Sequence, residues 1–257
     1  MTVHFVGAGP GAADLLTVRA TRLLATADVV LYPGTYLDPE VLGHVSPSAE
    51  LVDTQDLDLD RITEHLVRAH AAGKDAVRLA SGDLSVYSAL WEQSRRLDAA
   101  GVPWDVTPGV PAYAAAAARI GRELTVPLVA QSVVLTRTRA RSSAMPEAES
   151  LDAFARTGAT LVLHLAVART RMLMAELEPQ YGADCPVVVV HRASQPDELV
   201  IRGTVSTVAD AVEQAGLRQA AVILVGRALH PDGGGESYLY DAARDRSVKR
   251  RPSAPTG

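Results

Sequence analysis

The chain has 257 residues, 47% of them apolar and only 4% aromatic, with a formal net charge of −5. That length suits one large domain or two small ones with a sizeable core, and the acidic balance argues against general nucleic-acid binding. The single cysteine, Cys185, excludes an internal disulfide framework and a multi-cysteine metal site.

No apolar run approaches the ~20 residues of a membrane helix. Nor does the first segment carry the basic, then apolar pattern of a signal peptide. From there, short β-branched runs alternate with Ala-, Leu- and Arg-rich stretches. The pattern predicts strands over residues 3–6, 29–31, 50–52, 75–78 and 104–107 and helices over 14–26, 60–72, 87–100 and 111–119. Asp60 is placed to cap the helix whose apolar positions Ile62, Leu66 and Val67 keep helical spacing. Gly73 and Gly101 close two helices, and Pro111 suits a first helical turn. This alternation predicts a mainly parallel sheet with helices on its faces.

After Pro127 the pattern restarts, with strands over residues 132–136, 160–165, 187–191, 199–203 and 221–225 and helices over 151–155, 169–181 and 205–215. The short polar connector before residue 199 favours an antiparallel hairpin, which makes the second sheet mixed. The expected fold class is α/β in two α/β domains, residues 1–122 with the Gly-rich loop and residues 123–241, followed by an unordered tail over 242–257. Residues 139–149 read as a long polar loop.

Four segments carry the chemistry. Gly7-Ala8-Gly9-Pro10-Gly11-Ala12 satisfies G-x-G-x-x-A between a strand and a helix. Three readings stand: a nucleotide phosphate site, a tight structural turn, or a loop that lets another molecule approach the backbone. Against the first, Pro10 lacks an N–H, and no acidic residue ends the second strand. Ser81-Gly82-Asp83 and Pro108-Gly109 both follow strands, at the carboxyl edge where open α/β sheets bind ligands, so together they describe a pocket. Asp83 either lines that pocket or caps a following helix. Arg137, Arg139 and Arg141 alternate along a strand continued from residue 132, so they share one face. Such a face suits a ligand with several carboxylates, or else forms a solvated basic loop. Arg169, Arg171 and Arg192 also fall near strand ends. The seven histidines show no metal-ligand spacing and read as structural or surface residues.

The fourth segment is His191-Arg192-Ala193-Ser194-Gln195-Pro196-Asp197-Glu198. In this order the four segments resemble the tetrapyrrole (uroporphyrin/corrin) methylases, across nearly the whole chain. Gly82-Asp83 with Tyr87 is similar to that family's G-D-P-x-x-Y segment, with Leu84 in place of proline. Within the family, Glu123-Leu124-Thr125-Val126-Pro127, Gln131 to Arg137 and Arg192 to Glu198 resemble the precorrin-4 C(11) subfamily. Gln195 stands where that subfamily has Trp, and Pro111 where it has Ser.

The resemblance implies a cleft between two α/β domains and S-adenosylmethionine (SAM) as methyl donor, with S-adenosylhomocysteine (SAH) as product. It also implies a tetrapyrrole polycarboxylate substrate and a cytoplasmic homodimer, with no metal, nucleic-acid or membrane partner. By the family's pattern the SAM pocket comprises Pro10, Gly82, Asp83, Val110, Pro111, Ala112, Leu165, Ala166, Ala193 and Ala221. Gly9, Tyr87, Arg137, Arg139 and Arg141 are the candidate substrate contacts, and Asp83 and Tyr113 the candidate catalytic residues. A carboxylate against a sulfonium would over-stabilise the ground state, which favours Asp83 as an orienting group.

Overall fold

The computed structural model describes residues 1–34, 37–138, 145–230, 234–240 and 243–244. Arg139, Arg141 and nearly all of the tail lie outside the described residues.

The first sheet has the order β3-β2-β4-β1-β5 and is parallel throughout. Its strands are β1 (Val3–Gly7), β2 (Val29–Tyr32), β3 (Glu50–Asp53), β4 (Ala76–Ala80) and β5 (Trp104–Thr107). Side chains alternate across it. Val3, Phe5, Val29, Leu31 and Ala76 pack on one face with Ile62, Leu66 and Leu97, from α3 (Leu59–Ala71) and α4 (Leu90–Ala99). Val6, Val30, Val77 and Leu79 pack on the other with Ala20, Leu24 and Val41, from α1 (Val18–Thr26) and α2 (Pro39–Leu42). Burial on both faces accounts for the near-continuous apolar strands.

The second sheet has the order β6-β7-β10-β8-β9. It contains β6 (Val133–Arg137), β7 (Thr160–His164), β8 (Pro186–His191), β9 (Leu199–Thr204) and β10 (Ala221–Val225). The β6–β7 pair is parallel and the other pairings are antiparallel, including the expected β8–β9 hairpin. One face, with Leu161, Leu163, Val187, Val189, Ile223 and Val225, carries α6 (Leu151–Ala155), α7 (Thr170–Tyr181) and α8 (Val208–Gln214). The other face, with Val162, Val188, Val190, Val222 and Leu224, carries α5 (Ala112–Ile120) through Ala115, Ala116 and Ile120. Thus α5 precedes the connection at residues 121–127 yet is clad onto the sheet that follows it.

Several helix starts differ from the sequence expectation. Asp58, not Asp60, caps α3, because its Oδ1 accepts from Arg61 N at 2.9 Å. The stretch over residues 14–26 divides into a 3₁₀ turn (Ala13–Leu15) and α1, where Thr17 Oγ1 accepts from Ala20 N at 3.1 Å. The helix expected from residue 87 begins only at Leu90, since Tyr87 and Ala89 have φ of 54° and 55°. Pro111 is the extended cap residue before α5 rather than its first turn. The last helix starts at Val208, three residues later than expected. Gly73 and Gly101 do end their helices, with φ of 70° and 69°.

Candidate active site

The loops leaving β1, β4 and β5 meet at the carboxyl edge of the first sheet. Gly9 and Gly82 exchange two backbone hydrogen bonds, Gly9 N to Gly82 O at 3.1 Å and Gly82 N to Gly9 O at 2.7 Å. A Cβ on Gly109 would lie 2.2 Å from Gly82 O, and one on Gly7 would lie 2.5 Å from Gly109 N. Only glycine permits backbones this close.

Asp83 ties the same loops together. Its Oδ1 accepts from Ser85 N at 2.8 Å and from the Ser85 hydroxyl, while Oδ2 accepts from Gly109 N at 2.9 Å. Burial pushes the Asp83 carboxyl up, but the hydrogen bonds from Ser85, Gly109 and Leu84 outweigh it and hold the group below its ordinary value. Asp83 therefore does not cap a helix; it stays ionised and joins two loops.

The same contacts bear on the glycine motif. Ala8 N donates to Ala80 O at 2.8 Å, Gly9 N to Gly82 O, and Ala12 N to Ser194 Oγ at 3.1 Å. Pro10 has no N–H. The Ala8, Gly9 and Ala12 donors are thus taken by the protein, which weakens the nucleotide reading.

Facing these loops are the carboxyl ends of β7 and β8 and the start of antiparallel β10. Between the two edges lies a cavity of about 460 Å³, within the usual range of roughly 300–1,000 Å³ for small-molecule sites. Its lining includes Pro10, Gly82, Asp83, Tyr87, Pro111, Ala112, Leu165, Ala193 and Ala221, all expected from the sequence. Val110, Ala166, Gly9, Tyr113 and Arg137 are not part of that wall. Ala166 is fully buried behind it, Tyr113 packs toward the α5 core, and Gly9 is engaged with Gly82. Arg137 lies on β6 in register with His164 and acts electrostatically on Tyr87, whose hydroxyl pKa is raised by burial, lowered by Arg137 and raised again by Glu149.

The wall also holds residues that sequence reasoning missed: His164, Gln195, Arg218 and Gln219. Of these, Gln195 joins the two edges. Its Nε2 donates to Pro10 O at 3.1 Å, next to the Ala12–Ser194 bond. Glu198 orders the same loop by accepting from Ser194 N at 2.8 Å and pairing with Arg119 of α5. Arg192 pairs with Asp197 at 2.5 Å, which holds that carboxyl low. Arg171, considered above for ligand carboxylates, instead pairs with Asp210 and Glu213 on the surface.

Backbone strain gathers at this cavity. Among the described residues seven non-glycines have positive φ, and four of them, Tyr87, Leu165, Arg192 and Ala220, line it. A fifth, Ser194, lies between Ala193 and Gln195. Each left-handed residue costs roughly 1–2 kcal/mol, and such strain collects where a ligand site demands a particular backbone course.

A parallel sheet joined to a mixed one, with a strained and mostly apolar cavity between their edges, defines an α/β ligand-binding protein of the methylase type. The chain belongs to the tetrapyrrole (corrin/porphyrin) methylases, whose family pattern matches residues 2–209. It is 53% identical over 248 residues to a precorrin-4 C(11)-methyltransferase of Rhodococcus erythropolis, covering 96% of this chain and all of that one. It superposes on the crystal structure of a cobalt precorrin-4 methyltransferase with a TM-score of 0.86 and 38% identity, covering 90% and 96% of the two chains. A uroporphyrin-III C-methyl transferase from Thermus thermophilus, complexed with S-adenyl homocysteine, gives a TM-score of 0.74 at 31% identity, over 90% and 94%.

Proposed function

We propose that this protein methylates C-11 of precorrin-4, giving precorrin-5 in cobalamin synthesis, with SAM as methyl donor. The 53% identity to the Rhodococcus enzyme, over 96% of this chain and all of that one, carries this reading. The lower figure of 38% for the cobalt precorrin-4 enzyme favours the cobalt-free substrate.

The cavity fits a methyl donor of this kind. Ala112, Ala193 and Ala221 leave room where larger side chains would fill the wall, and Asp83 keeps its charge on Ser85 and Gly109 instead of offering it to a sulfonium. When bound, SAM supplies the methyl group, and the electron-rich substrate carbon is the nucleophile. The protein's share is to hold the two in line and exclude water, which in favourable systems supplies up to roughly 7–11 kcal/mol. Asp83 fixes the loops that bear Gly82 and Gly109. Tyr87 and Arg137 belong to the substrate side, Arg137 holding carboxylates with Arg139 and Arg141 as its expected partners. The working form is a homodimer in the cytoplasm, an assignment supported by the family resemblance alone.

The test is incubation with precorrin-4 and SAM carrying a ¹³C methyl group. NMR should place the label at C-11; a label at another ring carbon, or turnover only with the cobalt-containing substrate, overturns the reading. Sedimentation of the purified protein as a monomer would overturn the dimer.

A further inference from the structure

Charge balance asks for a group the reading above does not contain. As the ring carbon donates an electron pair to the methyl group, the new C–C bond forms, and the S–CH₃ bond breaks with its pair retained on sulfur. The sulfonium becomes a neutral thioether, and its positive charge passes to the tetrapyrrole. A ring N–H or C–H proton must then depart. Asp83 is poorly suited to receive it, because three donors occupy its oxygens. Tyr113 is turned toward the α5 core and lies outside the cavity wall.

We propose that His164 is the catalytic proton acceptor, receiving the substrate proton on Nε2; the assignment rests on the methylase reading above. His164 ends β7 at the cavity wall. Its Nε2 is buried with no hydrogen-bond partner, an uncommon state that calls for a specific cause. In the neutral tautomer that carries its proton on Nδ1, which this role requires, the Nε2 lone pair is available. The Tyr87 ring covers it, with centroids 5.4 Å apart and planes tilted by 51°. Tyr87 is 45% exposed on a left-handed loop residue, so its ring can swing aside for substrate without disturbing the core.

The surroundings agree. Burial holds the His164 pKa below its ordinary value, so the ring is neutral near neutral pH. The ionisable groups around it are Tyr87 from the loop after β4, Arg137 in register on β6, and Glu149, which acts on Tyr87. Asp83, Arg192 and Arg218 share the cavity wall. On its other side β10 presents Val222, an apolar residue. Burial disfavours a resting imidazolium, and a proton taken up during turnover is therefore released readily.

The experiment compares wild type with His164→Gln and His164→Phe. Calorimetry measures SAH binding, single-turnover methyl transfer is followed across pH, and ¹⁵N NMR follows the imidazole nitrogens. Both variants should retain measurable SAH binding, while their single-turnover rates at saturating SAM fall by about 100-fold or more. The wild-type rate should decline as pH drops through a value below ~6.5, and that limb should vanish in the variants. The His164 signal should shift when product and SAH bind together. Unchanged rates and an unchanged acid limb in variants that bind SAH overturn the proposal and leave the methylase reading standing. A wild type that neither binds SAH nor transfers a methyl group overturns both.

Discussion

Asp83 illustrates how one side chain can build a site by being fully engaged. Its carboxylate gathers two loops through Ser85 and Gly109, and Asp83→Asn would set an amide N–H₂ against donors already aimed there. A loss on the order of 1 kcal/mol is expected, measured as a lower urea midpoint. Because the folded pKa is depressed, this stabilisation is present above the unfolded carboxylate value and is lost as pH falls through the folded one. The difference between wild type and Asp83→Asn should therefore shrink in acid. Ala193→Leu makes a different prediction. The added carbons enter the cavity wall, so SAH affinity should drop by more than about tenfold, equivalent to ~1.4 kcal/mol, with the circular dichroism spectrum unchanged. Asp83, Tyr87 and Ala193 were legible as cavity residues because each sits in a recognisable segment. His164 was not, since a lone histidine at a strand end has no spacing to mark it. Gln195 was missed because its partner, Pro10, lies 185 positions away.

At the scale of elements, strands were easier to read than helix starts. Strand burial on two faces writes long apolar runs into the sequence, whereas a helix start depends on single backbone angles. Leu57-Asp58-Leu59-Asp60 offers two capping carboxylates, and only the position of the Arg61 amide selects Asp58. Nothing in the residue types of Tyr87 or Ala89 announces a positive φ. The crowded turn at Gly109 gives a sharper test. The Cβ of Gly109→Ala would collide with the Gly82 carbonyl, a backbone atom that cannot rotate away. Overpacking of this kind costs about 1–3 kcal/mol. The expected result is a lower melting temperature together with weakened SAH binding, since the displaced loop also carries Asp83. A variant with wild-type values for both would show that the three loops are less tightly joined than the geometry indicates.

For the molecule as a whole, polar contacts on the cavity's rim help to bind the two sheets. Gln195 to Pro10 and Ser194 to Ala12 are neutral hydrogen bonds, while the ionic Arg119–Glu198 pair ties α5 to a loop of the same second sheet. Gln195→Ala should speed SAH dissociation by several-fold in stopped-flow displacement, at roughly one lost hydrogen bond of ~1 kcal/mol. Added salt should alter the wild-type rate little, because neutral hydrogen bonds are not screened. Faster release in salt alone would show that the Arg119–Glu198 pair, by ordering the Gln195 loop, matters more than the neutral bonds.

The position of α5 has a mechanical consequence. The helix travels with the second sheet, yet the residues leading into it are stitched to the first through Gly109 and Asp83. If the sheets move relative to one another, residues 109–111 are the covalent joint between them, and the downstream connection is carried along as a passenger. Since Pro111 and Ala112 stand in the cavity wall, that joint passes beside the pocket we propose for the methyl donor. A lever moves least near its fulcrum, so the donor pocket should keep its shape while the distant lip gapes and narrows. One motion would then leave SAH affinity nearly constant and regulate the entry of a bulky ring. A cross-link spanning the far lip should accordingly exclude the tetrapyrrole and spare SAH.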